Sequence, residues 1–188
     1  MEETLKQRDS DCIKIVLFGP ESTGKTAIAI KLAAHYKTLW VPEFSRIYAE
    51  EKAHNNEPLT KHDVIPIAKG QITLENKLVL EANKLLICDT DLLETKVYSK
   101  AYYPEFESEV LEKFATENYY NLYFLTNIDL PWEPDGIRDK PHERETMFKA
   151  FQNALKTYQK PYVLLSGSLT NRFEIAVKHI DELLNENI

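Results

Sequence analysis

The stretch GPESTGKT at residues 19–26, directly behind the apolar run IKIVLF, constrains this chain more than any other feature. Gly19, Gly24, Lys25 and Thr26 satisfy the spacing G-x-x-x-x-G-K-T, with a strand predicted before it and a helix after. Glycines at those positions let the backbone wrap, so that the loop of Gly19, Pro20, Glu21, Ser22, Thr23 and Gly24 and the helix N-terminus behind it face bound phosphates. Lys25 is placed to neutralise the β and γ phosphates, and the Thr26 hydroxyl to ligate Mg²⁺. The loop thus marks a magnesium–nucleotide site. It leaves open whether the terminal phosphate goes to water, to a protein or to a small molecule.

Apolar runs alternate with helical patterns along the rest of the chain, the signature of βα units on a parallel sheet. Strands are predicted at residues 13–18, 39–41, 85–89, 121–126 and 162–166. Helices are predicted at 24–36, 44–52, 92–102, 106–116, 145–158 and 169–184, with a long helical region from a Thr60 cap to about Lys84, broken or kinked at Pro66. The expected fold is a three-layer α/β sandwich of the P-loop NTPase type, with a mostly parallel sheet of about five strands. Residues 1–11 read as a flexible N-terminal segment and 12–188 as one domain, a size that can bury a real core.

A net charge of -7 disfavours a nucleic-acid partner, because phosphate backbones call for clustered Lys and Arg. The polar start MEETLKQRDSDC lacks the apolar stretch of a signal peptide, and no apolar run approaches the length of a membrane span. Cys12 and Cys88 have no second Cys or His at ligand spacing, and the five histidines are scattered. A cytoplasmic protein, with Cys88 in the core, is the expectation; the sequence does not indicate an oligomeric state.

A P-loop needs a carboxylate across the magnesium, at the end of a neighbouring apolar strand. Asp89 closes LLIC at such a place, as a metal ligand or as a helix N-cap, and Asp91 follows, as a site residue or as the cap of the next helix. The chain does not read as a GTPase: DTDLLET has no glycine, and TNID at residues 126–129 has Ile where the guanine-reading motif has Lys. LSGSL at 165–169 lacks the second glycine and the glutamine of a transporter-ATPase signature. A hexameric motor needs a larger helical lid and more chain. The small-kinase plan remains, with an acceptor site beyond the second strand and a closing lid.

That acceptor side falls on TLWVPEFSRIYAE, where Trp40, Glu43 and Arg46 follow the second strand. Glu43 suits a base for an attacking hydroxyl or a ligand for a sugar diol, and Arg46 a clamp on phosphate or ribose oxygens. Trp40 is either a stacking platform for a flat ring or core.

In order, GPESTGKT, WVPEFSR, the pair Gly70–Gln71, DTD and PWEPDGIR resemble the ribosylnicotinamide kinase domain of NadR-like proteins. The resemblance implies an ATP-dependent kinase that phosphorylates the 5′-hydroxyl of nicotinamide riboside to give nicotinamide mononucleotide for NAD synthesis. It also implies that Glu43 and Arg46 belong to the nucleoside site, with Gln71 near it, and that Asp89 serves magnesium or the acceptor hydroxyl. Adenylylation and DNA binding, which other domains of multidomain members carry, are not implied. Some members place an aromatic residue immediately before the glutamate, where this chain has Pro42.

The loop rich in proline at 127–144 reads as the lid, with Arg138 behind a DG turn as its charge-stabilising arginine. Trp132 reads as lid packing, and Arg144 as a lid or surface charge. Gly167 and Arg172 follow the fifth strand, where related folds present backbone and an arginine to adenine; a surface charge on the last helix is the alternative for Arg172.

Overall fold

The computed structural model describes residues 5–132 and 143–186. Five strands form one sheet in the order β2-β3-β1-β4-β5: β1 (Ile13–Phe18), β2 (Leu39–Val41), β3 (Leu85–Asp89), β4 (Leu122–Thr126) and β5 (Tyr162–Leu165). Every neighbouring pair is parallel, with Ile15 beside Ile87 on one flank and Leu122 on the other. The central strand is buried along its whole length, which is why IKIVLF runs apolar without alternation. Its side chains still divide by parity. Ile13, Ile15 and Leu17 pack into the layer containing α1 (Lys25–Tyr36) and α7 (Leu169–Glu186). Val16 and Phe18 pack into the opposite layer, built from α3 (Val64–Leu78), α4 (Leu92–Tyr102), α5 (Glu109–Glu117) and α6 (Arg144–Thr157).

All five strands point the same way, so the loops after them gather along one edge of the sheet, where ligands of open α/β folds bind. That edge collects the P-loop after β1, the Pro42–Glu43 corner that leads into α2 (Phe44–His54), the Thr90–Asp91 turn after β3, and the turns after β4 and β5.

Three local expectations change. The predicted long helix from Thr60 is a short 3-10 turn, Lys61–Asp63, followed by α3, which ends at Leu78. Thr60 and Asp63 form a reciprocal capping box there, the Asp63 carboxylate accepting the Thr60 amide at 2.8 Å. Pro66 causes no break, because it sits in the first turn of α3, where its missing N–H would have had no helical partner. The fifth helix begins at Glu109 behind a Ser108 cap rather than at residue 106. The start of the chain is not loose where it is described. Leu5 is fully buried, the Gln7 side chain donates to Glu75 at 2.6 Å, and the Arg8 amide donates to Asn76 at 2.7 Å. Cys88 is core within β3. Among the described residues no helix is long and apolar enough to cross a membrane.

Candidate active site

The P-loop closes tightly against the end of β4. Gly19 has φ +140°, and a Cβ there would lie 2.6 Å from the Thr126 hydroxyl and 3.0 Å from its carbonyl, so only glycine fits. Thr126 and Thr23 share a hydrogen bond at 2.7 Å, and Thr23 also donates to the Pro20 carbonyl at 2.7 Å. Ser22 takes a left-handed φ of 56°, and Thr90 across the site one of 91°. Both are strained conformations for non-glycine residues, held by the surrounding contacts.

Lys25 is buried and folded back onto its own loop. Its ammonium donates to the Gly19 carbonyl at 2.7 Å and the Pro20 carbonyl at 3.0 Å, and stands 3.2 Å from Glu94 Oε1. Burial acts to lower the Lys25 pKa, but Glu94, Glu43 and Asp89 outweigh it and raise it. Glu94, in the first turn of α4, accepts the Gly19 amide on Oε2 at 3.3 Å, while Oε1 has no hydrogen bond of proper geometry. Burial pushes its carboxyl up to about 8, with Lys25 pulling the other way.

Thr26 donates to Asp89 Oδ2 at 2.5 Å, and Asp89 Oδ1 is buried with no hydrogen-bond partner. Burial, then Glu43, pushes Asp89 up to about 6, against Lys25, Thr26 and Arg46. A carboxylate oxygen orphaned beside a threonine hydroxyl at the P-loop is a hard-oxygen pair of the kind magnesium takes, with phosphate and water completing its shell. The residues present therefore fit the ion, and Thr26 and Asp89 are the ones that would hold it.

Glu43 stands at the other side of the same space, as the residue before α2. Its corner is pinned by the buried Gln71, which accepts the Phe44 amide at 2.8 Å and donates to the Pro42 carbonyl at 3.3 Å. Ser45 donates to Glu43 Oε1 at 2.7 Å. Arg46, one turn along, lines the same cavity. That cavity, about 750 Å³, runs from the P-loop past Thr90 and Glu94 to Tyr98 and Tyr102 on α4.

The structure thus brings Lys25, Thr26, Asp89, Glu43, Arg46 and Gln71 to one space, and leaves three predicted residues outside it. Trp40 packs into the α1/α7 layer, because side chains alternate along β2 and its neighbours Leu39 and Val41 take the other face. It is not a ring platform for a ligand in the cavity. Asp91 is buried and fully engaged: Oδ1 caps α4 by accepting the Glu94 amide at 2.9 Å, and Oδ2 accepts the Tyr123 hydroxyl at 2.7 Å. It is a cap and core anchor, not a substrate contact. Arg172 is fully buried, with its guanidinium spent on backbone carbonyls and Asp129, so it offers no donor to adenine. Arg138 lies outside the described residues, as does most of the lid expected at 127–144.

Glu94 is the main residue that sequence reasoning misses. Asp91-x-x-Glu94 has the spacing of a capping box, which accounts for the glutamate locally. Only the placement of the first turn of α4 beside the P-loop shows that its carboxylate reaches Gly19 and Lys25. Tyr98 and Tyr102 are missed for the same reason, being indistinguishable by spacing from a buried helix face.

This loop, its strand and its helix define a P-loop nucleotide-binding domain. The chain belongs to the family described as AAA domain, which matches residues 14–172. Over 142 residues it is 30% identical to the trifunctional NAD biosynthesis/regulator protein NadR of Salmonella typhimurium, a match covering 75% of this chain and 34% of that protein. The chain spans about a third of the length of that relative. Its fold is similar to that of a NadR protein solved in complex with NR, with a TM-score of 0.75 and 24% identity over 91% of this chain and 51% of the other. It is also similar to deoxyadenosine kinase from M. mycoides with bound dATP, with a TM-score of 0.61 and 16% identity over 90% of this chain and 99% of that one. The three-layer sandwich with a five-stranded parallel sheet is thus the fold of small P-loop nucleoside kinases.

Proposed function

We propose that this chain is an ATP-dependent nucleoside kinase, with nicotinamide riboside as acceptor and nicotinamide mononucleotide as product. The observation that carries the reading is that one cavity is lined both by the P-loop, whose Thr26 donates to Asp89 behind it, and by Glu43 and Arg46. A switch that only hydrolyses nucleotide has no need of the second half. The acceptor's identity is supported by the similarity to NadR and to the NadR complex with NR.

In this reading the P-loop amides and Lys25 hold the donor phosphates, and Lys25 exchanges its loop carbonyls for phosphate oxygens. Thr26 and Asp89 would hold magnesium, which would neutralise charge on the phosphates. Glu43 accepts the proton of the 5′-hydroxyl as that oxygen attacks the γ-phosphorus. The bond from γ-phosphorus to the bridging oxygen breaks, and ADP leaves with the electron pair. Arg46 holds ribose or phosphoryl oxygens, and Arg138 on the lid stabilises the transferring group. Gln71 acts by fixing the corner that presents Glu43.

The test is incubation of the protein with MgATP and a panel of nucleosides, followed by mass detection of products. Nicotinamide mononucleotide formed in preference to other nucleotides is the expected result. A different nucleotide would overturn the acceptor and keep the kinase; ADP with no phosphorylated nucleoside would overturn both.

A further inference from the structure

Two arginines hold the P-loop from behind. Arg172, on α7, donates Nη1 to the Thr23 carbonyl at 3.0 Å, Nη2 to the Asn127 carbonyl at 3.1 Å and Nε to the Gly167 carbonyl at 2.8 Å. It also pairs with Asp129, whose other oxygen accepts the Gly167 amide at 2.6 Å. One buried guanidinium therefore ties the P-loop to the turns after β4 and β5. Arg144, the first residue of α6, donates Nη2 to the Ser22 carbonyl at 3.4 Å and Nη1 to the Leu130 carbonyl at 3.0 Å.

The two carbonyls they grip are consecutive. In a trans peptide the C=O of one residue and the N–H of the next point in opposite directions. Fixing the Ser22 carbonyl toward Arg144 turns the Thr23 amide away from that arginine. Fixing the Thr23 carbonyl toward Arg172 does the same for the Gly24 amide. Among the described residues the Gly24 amide has no hydrogen-bond partner, the Thr23 amide has none beyond the turn that closes on Pro20, and both residues line the cavity. Ser22 sits at a φ of 56°, a conformation that such external grips help to hold.

We propose that Arg172 and Arg144 are positioning residues for the donor: they hold the backs of two successive peptide planes and so preset the Thr23 and Gly24 amides that receive its phosphates. The proposal rests on the reading of the P-loop as the donor site. Arg144, at the end of the lid expected at 127–144, also holds the Leu130 carbonyl near its start.

Backbone amides of such a loop contact the α and β phosphates, which ADP and AMP-PNP share. The experiment is calorimetric titration of Mg-ADP and Mg-AMP-PNP into the wild type, Arg144→Met, Arg144→Lys, Arg172→Lys and Arg172→Met, with a melting curve for each. The expected result is a loss of about 3–10-fold for Arg144→Met and about 10–100-fold for Arg172→Lys, the range of one to several lost charged hydrogen bonds. The loss should be equal for both nucleotides, and Arg144→Lys should not restore it, because one ammonium cannot span the Ser22 and Leu130 carbonyls. Arg172→Met removes the whole grip; if it does not fold, the lysine variant and the Arg144 variants carry the test. Unchanged affinities in folded variants would overturn the proposal. So would a loss confined to AMP-PNP, which would mean direct contact with the γ-phosphate. A wild type that binds neither nucleotide would instead overturn the donor reading itself.

Discussion

Adding one methyl group at Gly70 should disable the acceptor side while leaving the donor side intact. A Cβ there would lie 1.9, 2.2 and 2.3 Å from three carbons of the Phe44 ring, where carbon atoms rest at about 3.5–4.0 Å. Phe44 follows Glu43 directly, and its amide is held by Gln71, the residue after Gly70. The ring must therefore move by more than an ångström, and the corner that presents Glu43 moves with it. Alanine in place of a mid-helix glycine gains about 1 kcal/mol of helix propensity. Overpacking of this kind costs about 1–3 kcal/mol. The net loss of stability is then about 1 kcal/mol, or about 2–4 °C in Tm for a chain of this size. Activity should fall much further, because a misplacement of about 1 Å in a reacting group costs about 100-fold. The assay is kcat/KM for nucleoside phosphorylation beside the Kd of Mg-ADP. Gly70→Ala should lose about 100-fold in the first and change the second by less than about twofold. Phe44→Leu in the same chain should recover part of the loss, giving a measurable coupling between the two sites. An unchanged kcat/KM, or an equal loss in ADP affinity, would show that Gly70 does not set the Glu43 corner.

Three further outcomes follow from the same geometry. Glu43→Gln should lower kcat by about 10²–10⁴-fold if the carboxylate takes the proton, whereas a rise in KM alone would make it a binding contact. Glu94→Gln removes the carboxyl group 3.2 Å from Lys25 and should lower the Tm of the nucleotide-free protein; Mg-AMP-PNP, whose phosphates replace the lost group, should then raise its Tm by more than it raises the wild type's, and an equal rise would contradict the pairing. Asp91 is pushed up to about 6 by burial, with the Glu94 amide and Tyr123 hydroxyl pulling the other way. Because its folded pKa lies above the unfolded value of about 3.9, the stability linked to its proton is full below about pH 4 and lost as the pH rises through about 6, a change of about 2–3 kcal/mol. Asp91→Asn cannot ionise, so urea unfolding should show the variant gaining on the wild type by about 2 kcal/mol between pH 4.5 and 7.5; a difference independent of pH would contradict the burial of this carboxyl.

What the sequence reveals and what it hides divide by physical cause. The strands are legible because burial on both faces makes them continuous apolar runs, as in IKIVLF and LLICD. The P-loop is legible because its chemistry demands particular residues at particular spacing. The nearness of Glu43 to Asp89 follows once both are placed at the ends of parallel strands. Residues whose role depends on the packing of distant elements are not legible. Arg172 looks like a surface charge on a helix, and only the carbonyls of three separate turns converging on it explain its burial. Trp40 is decided by which face of β2 it takes, which a three-residue strand does not announce. Leu5 looks like part of a polar lead and is core, sharing a buried cluster with residues of α3 and α5, while its carbonyl accepts the Asn118 side-chain amide at 3.4 Å.

The central claim is that the phosphate leaves this loop for a nucleoside hydroxyl rather than for water. Following γ-labelled ATP in the presence of nicotinamide riboside tests it directly. Label should appear in the 5′-phosphate of nicotinamide mononucleotide, one for each ADP formed. Label released as inorganic phosphate at the same rate with and without the nucleoside would contradict it.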